Sequence, residues 1–308
     1  MIPRELLEPA PEPTPKRRAK PVWTQLRSNR NFMNYPLARS VRTQPRRRED
    51  KARGEKWCYL PGDDHIELSV PADSPVRRLP TGLDMNVLFR LLAGVQGSQC
   101  ARVEFASWAV LLRELHLAAH QDNRSRVVDA LLFWKDLAIF YDGCWYQTGG
   151  DHVERDFPPP VRHFDVKKGR TITVTLDPAW VKLALEKKFF AAIPLPLPSD
   201  ASAQNLVLRV LTSMPTLVGE DREHLNCSAL IQRHILCRRI GLRHEEKKLE
   251  RIGAIVAGWF EARAGKFWLQ EDRCGRVAFA FTPPAVPRSK TARTKGQSRP
   301  EQHARRGK

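Results

Sequence analysis

The chain has 308 residues, 42% of them hydrophobic, with 8 Trp and 13 Phe, which is enough apolar material for one or two packed domains and excludes wholesale disorder. No apolar run approaches the roughly 18 residues of a membrane span, and residues 1–30 carry Pro, Arg and Lys where a secretory leader would be apolar. A cytoplasmic protein without a membrane partner is the expectation. The net charge of +18 is unevenly placed: residues 1–56 hold 15 Lys+Arg against 6 Asp+Glu, residues 282–308 hold 8 against 1, and only +2 is left for the body between them. A near-neutral body with two basic arms suits a polyanion such as DNA, RNA or an anionic surface.

In chain order, the first arm mixes Pro (PAPEPTPKRRAKP) with Arg (RTQPRRRED), a composition that buries too little apolar surface to offset chain entropy, so disorder is expected through residue 56. Order is expected from Trp57, through a short strand HIELSV, to a helix from Leu83 capped by Thr81 or Asp84 and closed by Gly94 and Gly97. A brief strand through Val103 and Phe105 then leads to Ser107 as the N-cap of a helix turning Val110, Leu111 and Leu115 inward. In DNRSRVVDALLFWKDL, the residues Val127, Leu131, Trp134 and Ala138 recur at steps of three and four, which predicts a helix with one buried face. The period then changes. AIFY and CWYQ flank Asp142-Gly143, a pattern that predicts a hairpin with a type I′ turn.

Further on, RTITVTLDPAW reads as a strand returning to the same sheet, followed by a helix with Asp177 at its N-cap and Pro178 at N1. After the Pro-rich link AAIPLPLPSD come a helix SAQNLVLRVLTSM, a helix CSALIQRHILCRRI ended by Gly241, and a long helix from about Arg243 to Ala264. That last helix turns Leu249, Ile252, Val256, Trp259 and Phe260 inward, and KFWLQ, EDRCG and RVAFAF supply a second hairpin. Helix, strand, helix, turn, helix, hairpin is the order of a winged helix, and a similar order appears twice. The fold class expected is therefore α+β, mainly helical, with two tandem winged-helix domains at 57–185 and 186–282 between disordered basic tails at 1–56 and 283–308.

The phrases VEFASWAVLLREL, SRVVDALLFWKDLAIFY, ITVTLDPAWVKLAL and LRHEEKKLERIGAIVAGWF, spread over residues 80–282, resemble the plasmid replication initiator (Rep) family. The resemblance implies two winged helices that bind repeated origin sequences (iterons) in double-stranded DNA, homodimers that repress, and monomers that open the origin. It also implies recruitment of the host replication initiator and the replicative helicase. The segment Thr148–Gly169 is longer than that pattern expects. A transcriptional regulator that binds an operator through one winged helix and dimerises through the other is the alternative.

A recognition helix reads the major groove with the solvent-facing side chains of its first turns. In the first domain these are Asn123, Arg124, Ser125 and Arg126, with Lys135 further along and placed for phosphate. In the second they are Arg243, His244, Lys247, Lys248 and Arg251, supported by Arg233, Arg238 and Arg239 on the helix before. Lys247 and Arg251 are four apart, so they project together and favour an anion between them, although Glu245, Glu246 and Glu250 are also consistent with a salt-bridged face in water.

Cys227 and His234 at i and i+7, with Cys237 and His244, invite a zinc site. The shared face also carries Leu230 and Ile231, so core packing is the better account and no metal is expected. The six scattered cysteines contain no C-x-x-C pair and read as reduced thiols. With no phosphate-binding G-x-x-x-x-G-K-[ST] and no His-x-His beside a tyrosine, neither an enzymatic activity nor a cofactor is expected.

Overall fold

The structure is a computed structural model that describes residues 24–29, 31, 37–38, 46–50, 54–59, 65–75, 78–146, 152–166, 171–186, 190–212, 227–242, 246–271 and 276–282. Strands β1 (Thr24–Asn29), β2 (Arg46–Asp50), β3 (Gly54–Tyr59) and β4 (His65–Val70) come first. Helix α1 (Gly82–Ser98), strand β5 (Arg102–Phe105), and helices α2 (Trp108–Glu114) and α3 (Gln121–Asp136) follow. Strands β6 (Ala138–Tyr146), β7 (His152–Phe157), β8 (Val161–Val166) and β9 (Ile172–Leu176) lead to helix α4 (Pro178–Leu185). The remainder is β10 (Phe190–Leu195), α5 (Ala201–Thr212), β11 (Cys227–Gln232), α6 (Arg233–Ile240), α7 (Glu246–Glu261), β12 (Lys266–Glu271) and β13 (Arg276–Thr282). Helix and strand are thus mixed in comparable measure among the described residues, where the sequence led us to expect a mainly helical chain.

The local signals that set the helix starts act as expected. Thr81 and Asp84 form a capping box on α1, with the Thr81 backbone N–H donating to Asp84 Oδ2 at 2.6 Å. Ser107 caps α2 by accepting from Val110 N, and Asp177 with Pro178 opens α4. The end of α1 differs. Gly94 and Gly97 do not close the helix, which continues to Ser98 and stops at Gln99 in the left-handed region, φ 55°.

Gly94 serves packing instead, because a Cβ there would stand 2.6 Å from Val103 Cγ1 on β5. Gly94→Ala is therefore expected to lower stability by about 1–2 kcal/mol despite alanine's better helix propensity, read from the denaturant midpoint. A rise in stability would show that β5 yields freely. On α2, Leu111, Leu112 and Leu115 are buried, while Val110, expected inside, is only half covered.

Among the described residues the strands form four antiparallel sheets, in orders β2-β3-β4-β6-β7, β5-β9-β8, β11-β13-β12 and β1-β10. The expected hairpin turn at Asp142-Gly143 does not form, since β6 runs straight through it. Tyr141 pairs with Arg155 and Trp145 with Val153, so the residues between them bulge, with Gly143 at φ +63°. Asp-Gly supplies the positive φ that either a type I′ turn or a bulge demands, and pairing with β4 on one side and β7 on the other selects the bulge. The hairpin that joins β5 is consequently β8–β9, with β9 in the middle as the returning strand.

In the second half Cys227–Gln232, expected as the start of a helix, is strand β11, paired with β13. Short apolar runs carry no period that separates strand from buried helix. The segment expected to be a disordered arm contains β1, β2 and the start of β3. β1 is held by β10, which occupies the Pro-rich link, with Gln25 opposite Pro194. Residues 283–308 lie outside the described residues.

One apolar core runs through both halves. Helix α1 is buried over most of its surface and packs on α3, α4 and β1. Tyr141, Trp145, Phe157 and Trp180 form an aromatic chain with ring centroids 4.9 Å, 4.9 Å and 5.3 Å apart in succession, tying the five-stranded sheet to α4. Leu249, Ile252, Val256, Trp259 and Phe260 are buried on the inner face of α7, as the periodicity requires.

The halves meet in a polar seam. Asn86 Nδ2 donates to Leu197 O at 2.9 Å and its Oδ1 accepts from Leu197 N at 2.8 Å, while Gln204 Nε2 donates to Gly82 O at 3.0 Å. Pro196 O accepts from Trp259 Nε1 at 2.9 Å and from Arg263 at 2.7 Å. The Arg263 guanidinium lies 4.0 Å from the Trp259 ring centroid, and burial pushes its pKa down to about 9.

Candidate nucleic-acid interface

Two units of the chain share one connectivity. In each, a helix, a strand, two helices and two further strands follow in order, and the last strand lies between the other two: α1, β5, α2, α3, β8, β9 in the first and α5, β11, α6, α7, β12, β13 in the second. The first unit differs by the insertion of β6 and β7, which leave to join the five-stranded sheet. Of the inserted strands, β7 falls within Thr148–Gly169, the segment that is longer than expected.

The connection between α2 and α3 is a compact turn. His116 takes φ 55°, Leu117 N donates to Leu112 O at 2.8 Å, and Asn123 Nδ2 donates back to Ala118 O at 2.9 Å. The His116 pKa is lowered by burial and, next, by the charge of Arg263 from the second unit. His120, the N-cap of helix α3, makes no side-chain cap bond.

Its candidate residues divide sharply. Asn123 is engaged in the turn and accepts from Arg126 at 3.1 Å, so both are ordered on the surface by intramolecular bonds. Ser125, Arg126 and Lys135 are exposed, whereas Arg124 is half-buried and turns toward α2. Arg124 and Ser125 line a cleft of about 330 Å³ with Trp108, Gln121, Val128 and Asp129. Sequence reasoning passed over Trp108, Gln121 and Asp129. The signal was present, since Gln121, Arg124, Ser125, Val128 and Asp129 follow the i, i+3, i+4, i+7, i+8 spacing of a single helix face.

In the second unit Arg251 and Glu250 are exposed on α7, and Lys248 is half-buried. Lys247 lies on α7 and Arg239 on α6, with side chains outside the described residues, and Arg243 and His244 lie outside them altogether. The zinc grouping dissolves at one end, because Cys227 stands on β11 and not on the helix of His234 and Cys237. Cys237 itself is buried as a small hydrophobe. On β12, Trp268 is 50% exposed between exposed Lys266 and Gln270, a surface aromatic the sequence analysis did not single out. The link from β8 to β9 contains Lys167, Lys168, Gly169 and Arg170, outside the described residues; the misplaced hairpin hid this basic run from the sequence reading.

The fold is thus a mixed helix-and-sheet chain built around a repeated helix–strand–helix–helix–hairpin unit. Among solved structures it is similar to domains 2 and 3 of RctB, in a selenomethionine form, at TM-score 0.52 and 10% identity, covering 84% of this chain and 99% of that one. A second structure of RctB domains 2-3, spanning residues 155-483 of RctB, aligns at TM-score 0.47 and 9% identity over 83% of this chain and 97% of that one. No protein-family description and no curated protein matches the sequence. No helix among the described residues is long and apolar enough to cross a membrane.

Proposed function

We propose that this chain is a replication initiator that binds repeated origin sites in double-stranded DNA through two winged-helix units. The observation that carries the reading is the repeated connectivity with the final strand central in each sheet, the arrangement in which a helix-turn-helix is flanked by a β-ribbon. In this reading α3 and α7 are the recognition helices. The fold likeness to RctB, a replication initiator, supports it, as do the basic termini, which suit a phosphate backbone. Recruitment of the host initiator and replicative helicase, and a repressing dimer, belong to the same proposal.

Direct readout in the first unit falls to Arg124, Ser125 and Arg126, with Asn123 as the residue that orients Arg126, and Lys135 meets phosphate. In the second unit Arg239, Arg243, His244, Lys247, Lys248 and Arg251 form the basic approach. Lys248→Ala and Arg251→Ala are expected to weaken binding to all duplex sequences alike and to reduce the salt slope by about one unit for each lost phosphate contact. Circular dichroism should be unchanged, because Leu249, Ile252, Val256 and Trp259 hold the opposite face of the helix. Wild-type affinity and salt slope in both variants would remove α7 from the DNA and favour a regulator whose second unit serves dimerisation.

A further inference from the structure

Composition alone assigns residues 1–56 to a free basic arm, yet Leu26, Asn31, Leu37 and Ala38 within it are fully buried. An arm that only neutralises phosphates gains nothing by burying leucines, so this part of it has another task.

The burial is shared between the two units. Strand β1 packs on α1 and α4 of the first unit, and its ladder partner β10 packs on α5 of the second. β10 is also part of the covalent link between the units. A single extended chain there would leave the units free to turn about it, whereas a two-stranded ribbon held by helices of both units resists bending. Further along, Ala38 O accepts from Asn205 Nδ2 of α5 at 2.8 Å, and the same amide donates to Ile240 O at 3.2 Å. Ile240 closes α6, so its carbonyl is one of those a helix leaves without an internal partner, and the two hydrogens of the Asn205 amide serve it and Ala38 together. Gly241, at φ 76°, then turns the chain toward α7.

We infer that β1, with Leu37 and Ala38, is a strap that fixes the second unit against the first, so that α3 and α7 meet two DNA half-sites only at one spacing and one rotational phase. This rests on the DNA-binding reading above and extends it: specificity then includes the arrangement of the half-sites, and Asn205 is a positioning residue for it.

The test compares the full chain with two deletions and two substitutions. Deleting residues 1–22 removes five Lys and Arg and spares the strap, whereas deleting residues 1–30 removes β1 as well. Leu26→Asp and Asn205→Ala loosen the strap at its two ends. The probes are a duplex that the wild-type chain selects from a random-sequence pool, the same duplex with half a helical turn, about 5 base pairs, inserted between its half-sites, and each half-site alone. The expected result is that the insertion costs the wild type and the 1–22 deletion about tenfold or more in affinity, and the three strap variants less than about threefold, with binding to single half-sites within twofold throughout. Limited proteolysis without DNA should cut the strap variants between residues 186 and 200 and spare the 1–22 deletion. Should the 1–30 deletion or Leu26→Asp fail to melt cooperatively, Asn205→Ala, which leaves β1 in place, decides alone. Strap variants with the wild-type insertion penalty and protease resistance would overturn the proposal, as would a wild-type chain indifferent to the insertion. A wild-type chain that selects no duplex overturns the initiator reading instead, and the protease comparison, which needs no DNA, still decides the strap.

Discussion

Trp134→Ala is expected to lower stability by about 3–5 kcal/mol, the usual penalty for emptying a fully buried aromatic site. Trp134 is 0% exposed, meets Phe133 edge-on at 5.1 Å, and donates its indole N–H to Asp84 O at 2.7 Å. Truncation therefore opens a cavity under α3 and strips a donor from the first turn of α1. Trp134→Phe keeps most of the volume and loses the bond, so it should cost about 1–2 kcal/mol. Denaturant melts of the pair separate packing from hydrogen bonding. If the two variants were equally stable, the cavity would contribute nothing and α3 would be held by its other contacts. A loss above 3 kcal/mol in Trp134→Ala should also abolish duplex binding through the first unit, because α3 is the helix proposed to enter the groove.

Asn86→Leu is expected to cost about 2–5 kcal/mol, since it removes in one step the partners of both the N–H and the C=O of Leu197. Each backbone group left buried without a partner costs about 1–3 kcal/mol, and a leucine of similar size offers nothing in return. The damage lies in the seam. Gln204 on Gly82 and the pair Trp259 and Arg263 on Pro196 should hold the units together only in part, so limited proteolysis of the variant is expected to cut between residues 186 and 200. Binding to a duplex that engages both units should fall more than binding to a duplex that engages one, because the spacing between α3 and α7 is then no longer fixed. Wild-type stability together with wild-type protease resistance would show that Asn86 does not set the seam.

The sequence by itself determined what depends on a few neighbouring residues. The capping box of Thr81 and Asp84, the Ser107 cap, the Asp177-Pro178 start, and the inner faces of α7 and of α3 at Val127, Leu131 and Trp134 follow from hydrogen bonds and periodicities a few residues long, and the structure has them where they were expected; Ala138, expected on the same face of α3, opens β6 instead and is half-buried. The exposed positions of Ser125, Arg126 and Arg251 follow from the same helical period.

Tertiary structure decided whatever needed a distant partner. Asp142-Gly143 satisfies a turn and a bulge equally well, and β4 and β7 made it a bulge, moving the hairpin of the first unit to β8–β9. Cys227–Gln232 and Phe190–Leu195 became strands because β13 and β1 offered open ladders. Arg124 is half-buried and lines a depression together with Trp108 of α2, a neighbour that only the packing of the two helices brings to it. Strand pairing and clefts are set by contacts far apart in the chain, whose strength exceeds the small local preferences that a sequence displays.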